Sequence, residues 1–474
     1  MNSPNQHRST IFLIAFTTLF PLVIVPGAPF WKPGLIFDTE LAQALEMFQL
    51  FPKVLVLLLI GLLGMLSLKE IQWRKPFVLL LSVHLLLVLV SSLNARDDWS
   101  YALLGPQQRL DGLLYHLGLV LFGIFAYQML LKLPNLRITL IAALFVGGTI
   151  QAVLALLQRL QLDPIGPLVK WSMYSSPVGS LSHPGMLAGL LLPTILLGIW
   201  LTIEQSRKEY RCLTLLGLFL SALALGATAN RAALIALIVG VVGLSLIHRT
   251  WRTLLISAFA VISVFFVQFV IPNPQGFTRE YTETNTLESR FQIWALAYQS
   301  LSKIPGAPLI GGGSDAFRLS LLRDPPVADL LELTKIELAW PQDAQVANAT
   351  VVMPPQEQLR SKYIHVEFER FGGQANIKRD YPITLDKAHN LLLDRLLAFG
   401  GLSAMLWVVL FLFPVWKSWR NRNLAWLWIM IALMVYYLAW FPVVGTEPLH
   451  LLLVAIGWAS ISSAHSSSIR STPS

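Results

Sequence analysis

Apolar runs of membrane-spanning length, separated by short basic stretches, fill the first 271 residues and return after residue 389. The run from Phe77 to Leu93 shows the type: apart from Ser82, His84, Ser91 and Ser92 it holds only Phe, Val and Leu. A hydrocarbon core about 30 Å thick takes roughly 20 apolar residues per helical crossing. A chain that is 55% hydrophobic and 13% charged over 474 positions, against about 25% charged in a soluble domain, is therefore not an ordinary soluble enzyme. The runs predict an all-α polytopic membrane protein with twelve helices, near 11–26, 54–68, 77–93, 112–131, 138–157, 184–203, 213–229, 232–248, 253–271, 390–416, 424–441 and 448–464.

The basic residues set the orientation. With the N-terminus in the cytoplasm, fifteen Lys and Arg fall in inner loops and tails, among them Lys69, Arg74, Lys75, Arg207, Lys208, Lys417 and Arg420. Seven fall in the short outer loops: Lys32, Lys53, Arg96, Arg109, Arg159, Lys170 and Arg231. This asymmetry places both termini inside and accounts for much of the net charge of +9, so no nucleic-acid partner is needed to explain it. Residues 1–29 could instead form a signal peptide, although Pro26, Gly27 and Pro29 make a poor cleavage site. The single cysteine, Cys212, can form no internal disulfide, and no Cys/His spacing suited to a metal is present. No cofactor or metal is expected.

Residues 272–388 break the apolar pattern and carry most of the acids. Connections of this length are usually functional, and this one falls outside, between the ninth and tenth helices. The expected organisation is a bundle at 1–271, a large outer loop at 272–388, further spans at 389–464 and a disordered tail at 465–474.

Several short patterns could carry chemistry. Asn230-Arg231 sits at the tip of the tightest hairpin, where Arg231 either snorkels to the interface or offers an anion contact on a helix N-terminus. Arg290 opens a stretch in which Phe291, Trp294, Ala295, Tyr298 and Leu301 recur at helical spacing, an amphipathic helix for the membrane interface. Arg290 itself either pairs with Glu283 or Glu288 or meets a ligand. The run from Pro305 to Phe317 contains Gly311-Gly312-Gly313, which either makes a turn or lets backbone approach a ligand, and it lacks the Lys and strand of a nucleotide fingerprint. His389-Asn390 marks the return to the membrane, three residues after Asp386, with the ingredients of a general base.

Taken in order, Gly179 to Ala188 with His183, then Asn230-Arg231, Arg290 with Trp294, Pro305 to Phe317, and His389-Asn390 ahead of Gly400-Gly401, the chain resembles the O-antigen ligase and polymerase family of membrane glycosyltransferases. The resemblance runs from about Gly179 to Leu410. It implies an inverting, metal-independent transfer of a glycan from undecaprenyl pyrophosphate to an acceptor hydroxyl, lipid or glycan, on the periplasmic face of a bacterial inner membrane. It further implies that Arg231 and Arg290 hold the pyrophosphate and that His389 is the base, with Asn390 beside the substrate and Asp386, His183, Asn230 and Gly313 as weaker candidates. Pro184-Gly185 stands where many members have Asn. Polymerisation of the glycan on its carrier would use the same residues. A small-anion transporter of bicarbonate type would need polar groups along a midplane path, and the spans show few beyond His84 and His116.

Overall fold

A computed structural model describes residues 4–24, 45–95, 99–106, 109–165, 176–181, 183–248, 250–271, 286–337, 344–352, 363–370, 377–383, 385 and 387–468. It is 74% helical. In chain order the helices are α1 (Pro4–Leu19), α2 (Leu45–Ser67), α3 (Pro76–Asn94), α4 (Trp99–Leu104), α5 (Leu113–Lys132), α6 (Leu136–Arg159), α7 (Pro184–Glu204), α8 (Lys208–Ala227), α9 (Arg231–His248), α10 (Trp251–Val270), α11 (Thr286–Ser300), α12 (Ala316–Arg323) and α13 (Val327–Glu337). Three strands follow, β1 (Ala344–Val352), β2 (Tyr363–Arg370) and β3 (Ile377–Pro382), and then α14 (Leu391–Arg420), α15 (Leu424–Leu438) and α16 (Glu447–Ser468). Every one of the twelve apolar segments overlaps a helix. Among the described residues eight helices are long and apolar enough to cross a membrane, and the apolar stretches of α9, α15 and α16 are shorter. The protein is a helical, multi-pass membrane protein.

Two compact units divide the chain: Met1–Leu86 with Leu104–Tyr281 and Leu406–Ser474, and Leu87–Leu103 with Thr282–Met405. The first unit is the helical bundle. Its helices are built for lipid, as α10 illustrates: Ser257, Ala260, Ser263, Val264 and Val267 are buried, while Leu255, Ile262, Phe266 and Phe269 point outward. Small residues let helix backbones approach where apolar burial drives nothing.

The bundle departs from the sequence reading at Lys53. Phe51-Pro52-Lys53 resembles a break before a helix at 54, yet α2 starts at Leu45 and carries Pro52 inside it. Lys53 is fully buried and donates to the carbonyls of Val23 at 2.7 Å and Ser180 at 3.3 Å. These carbonyls come from distant chain, which is why no local pattern showed that a lysine could be accommodated there. α16 continues to Ser468, past the expected start of the tail at 465.

The second unit corrects the all-α expectation. Its strands form an antiparallel sheet in the order β1-β2-β3, set by strict alternation along β2. Ile364, Val366 and Phe368 are buried against Leu296, Phe317, Leu321 and Leu333 of the three short helices. His365 and Glu367 stand on the other face, where Lys378 meets Glu367 at 2.6 Å and Asp380 meets His365 at 2.6 Å. α11 buries Ser289, Ile293, Leu296 and Ala297. Of the aromatic stripe read from the sequence, Phe291 at 57% and Tyr298 at 73% exposed lie on the opposite face, whereas Trp294 is half-buried and Leu301 packs against the core.

Candidate functional site

The second unit is organised around a break in α14. Gly400 takes φ 83° and ψ 171° within the helix, a conformation open to glycine alone. A Cβ there would stand 2.0 Å from the Leu309 carbonyl oxygen, and one on Gly311 would stand 2.5 Å from Ala398 backbone. The glycine-rich run lies in the break: Gly312 N–H donates to Leu397 O at 3.0 Å and Gly313 N–H to Ala398 O at 2.9 Å. The end of α3 ties it down from the other side. Gly313 N–H also donates to Ser91 Oγ at 2.8 Å, Ser91 Oγ donates to Ala398 O, and Asn94 Nδ2 donates to Pro305 O at 2.7 Å and Gly311 O at 3.0 Å. The three glycines therefore permit close backbone approach, and the backbone they meet is that of α14. Gly313, with φ 92°, serves this packing.

The same run continues into buried charge. Asp315 is 3% exposed and accepts from Arg318 through Nε at 3.0 Å and Nη2 at 2.5 Å. Lys387, also buried, donates to Ser314 O at 3.3 Å, so the Pro305–Phe317 run and the His389 segment converge. On either side of His389 the backbone is fixed. Ala388 N–H donates to buried Asp394 Oδ1 at 2.7 Å, and Asn390 Oδ1 accepts from the N–H groups of Leu392 at 3.0 Å and Leu393 at 3.2 Å. Asn390 thus caps α14. His389 itself adopts φ 53° and is half-buried. A left-handed non-glycine residue carries local strain that surrounding contacts must hold, and here Asp394 and Asn390 supply those contacts. Arg395 is 4% exposed, with its guanidinium over the Phe399 ring at 5.5 Å.

Lys387, Asp394 and Arg395 were not singled out from the sequence. Three ionisable residues bracketing His389 at the start of an apolar helix was the available signal, since charge at the end of a span is costly unless it is used. Asp386 lies outside the described residues. Arg290 lies on α11, half-buried and one turn from the core residue Ile293.

In the first unit Arg231 is the first residue of α9, half-buried, directly after the cap Asn230, whose Oδ1 accepts from Ala233 N–H at 2.9 Å. His183 caps α7, its Nδ1 accepting from Gly185 N–H at 3.0 Å, and its ring packs against Trp440. Gly185 has no room for a larger residue, because a Cβ would lie 2.1 Å from the Trp440 ring. The Gly179-Ser180 turn before it is gripped by Gln158, which accepts from Gly179 N–H at 2.7 Å, and by Gln151, which accepts from Ser180 N–H at 2.9 Å.

The bundle also holds polar groups that the sequence reading undercounted. Tyr115 donates to buried Glu447 at 2.7 Å, His84 and His116 approach to 3.4 Å, and His450 lies between the Tyr437 hydroxyl at 2.5 Å and Gly189 O at 2.9 Å. Among the described residues no group of His, Cys, Asp and Glu is arranged to hold a metal ion. The chain matches no family model and no curated protein.

Proposed function

We propose that the protein is a membrane glycosyltransferase of O-antigen ligase type, moving a glycan from undecaprenyl pyrophosphate to an acceptor hydroxyl at the outer face of a bacterial inner membrane, with twelve crossings and both termini inside. The observation that carries this reading is His389, a half-buried imidazole held at a left-handed backbone position where the polar segment enters α14. An acceptor hydroxyl becomes a useful nucleophile when a positioned base takes its proton as the new glycosidic bond forms. As the bond from the sugar carbon to the pyrophosphate oxygen breaks, the leaving group carries away the electron pair and gains charge. Arginine donors placed where that charge develops lower the barrier, and Arg231 and Arg290 are assigned that task. The proton ends on His389. The motif order and the ionisable residues flanking His389 support the reading.

An anion transporter is favoured by the buried polar groups of the bundle alone. Lys53 and His450 spend hydrogen bonds on backbone carbonyls, which suits anchoring. Deletion of the gene tests the proposal: glycan should accumulate on its lipid carrier, be cleared by the wild-type copy and persist with Arg290→Ala. A deletion strain with unchanged carrier-linked glycan and impaired bicarbonate uptake would favour the transporter.

A further inference from the structure

A cavity of about 280 Å³ opens in the first unit, lined by none of the residues assigned to glycan transfer, among the starts of α6 and α15 and the middle of α16. Each helix lines it in the same polarity order. At the start of α6, the cap Asn135 and then Arg137 come first, followed by Ile138, half-exposed at the rim, and Ile141, which is buried. On α15, Asn423 precedes Trp426 and Ile429, and on α16, Ser460 lies one turn beyond Ile456. The polar end thus coincides with the start of two helices, α6 and α15, whose N-caps Asn135 and Asn423 make no side-chain capping bond. Helix starts left without such caps favour negative charge, and the Arg137 guanidinium adds a full positive charge there. Trp426 is 6% exposed, and its indole N–H has no acceptor among the described residues, whereas a buried Trp usually finds one.

We infer that this cavity binds an anionic phospholipid, with the phosphate headgroup against Arg137 and the two helix starts and the acyl chains along Ile138, Ile141 and Ile429. A free phosphate would satisfy the polar end and leave the apolar end unused, whereas an amphiphile matches both. The last turns of α5 and α14 carry Lys132, Lys417 and Arg420, and the turn before α15 carries Arg422, the membrane face that the positive-inside pattern assigns to the cytoplasm. Basic pockets between helices on that face suit anionic headgroups. The inference does not depend on the transferase reading.

The test uses the purified full-length protein in uncharged detergent, titrated with dioctanoyl phosphatidylglycerol, dioctanoyl phosphatidylcholine or inorganic phosphate, with thermal midpoint and native mass spectrometry as readouts. Phosphatidylglycerol should raise the midpoint and remain bound at concentrations where the other two do neither. Arg137→Gln should weaken it about tenfold, the scale for one charge-assisted hydrogen bond. Arg137 also donates to Ala459 O at 2.6 Å, so Ile138→Trp, at a half-exposed rim position, provides a variant that fills the cavity and keeps that bond. It should weaken binding to a similar degree. An equal response to inorganic phosphate or to phosphatidylcholine, or wild-type affinity in Ile138→Trp, would overturn the inference.

Discussion

His389 concentrates the residue-scale argument. Its backbone strain is maintained by Asp394 and Asn390, so identity and position can be tested separately. His389→Ala should lower transfer by about 10² to 10⁴, the range for losing general-base catalysis, while carrier-lipid binding changes little. Asp394→Asn keeps the side-chain acceptor that holds Ala388 and should retain far more activity than Asp394→Leu, with a parallel order in thermal midpoint. Asn390→Ala should cost about 1 kcal/mol through loss of the helix cap, read from thermal unfolding. For the arginines, Arg231→Ala and Arg290→Ala should each cost about 10² to 10³ in transfer rate, and Lys should restore only part of it because it loses the planar fork. At this scale the sequence shows which residue types stand out and hides what holds them. Asn390 reads as a neighbour of the substrate, and its Oδ1 accepts from the first turn of α14. Gly313 reads as a ligand approach, and its amide is spent on Ser91 and Ala398. Partners some 220 to 310 positions apart in the chain leave no local trace.

Elements were legible where one periodicity dominates. Each apolar run overlaps a helix, and the alternation along β2 places Ile364, Val366 and Phe368 on one face. β1, with the sequence AQVANATVV, has too little hydrophobic alternation to be read alone and is defined by pairing with β2. The break in α14 was equally hidden: Gly400-Gly401 is visible in an apolar run, but the carbonyl of Leu309 that excludes a side chain is not. Gly400→Ala should therefore destabilise the second unit by about 3 kcal/mol or more, combining a forbidden backbone angle with overlap. Gly401→Ala, whose Cβ would meet Pro308 O at 3.2 Å, should be milder; limited proteolysis of the 282–405 region compares the two. On the sheet, the Lys378 hydrogen bond and charge hold the Glu367 carboxyl below its ordinary value of 4.5, with His365 adding to the effect. A carboxylate depressed in the folded state contributes stability above its unfolded value and loses it as pH falls through the folded one. Acidification below about pH 4.5 should thus loosen the sheet progressively, and Lys378→Met should flatten that dependence in amide exchange at β2.

For the whole molecule, placing Lys53 inside α2 removes one of the seven basic residues assigned to outer loops and sharpens the charge asymmetry that sets orientation. In a Cys212→Ser background, single cysteines at Lys75, Arg207 and Lys417 should label from the cytoplasmic side and one at Thr350, on exposed β1, from the outside. Labelling of position 350 only from within would invert the topology. Composition and charge made the membrane class readable, because the bilayer leaves few options for a chain this apolar. In the sequence the proposed function rests on the order of short motifs alone, since catalysis depends on side chains brought together from separate parts of the chain. The central claim is glycan transfer by this chain with His389 as the base. Its most direct measurement reconstitutes purified wild-type and His389→Ala protein with undecaprenyl-pyrophosphate-linked glycan and a hydroxyl acceptor, following glycosylated acceptor and released undecaprenyl pyrophosphate together, with EDTA throughout. The account predicts equimolar formation of both products by the wild-type protein in chelator, and a loss of about 10² or more in His389→Ala with donor binding intact. No transfer by well-folded wild-type protein, or equal transfer by both proteins, would contradict it.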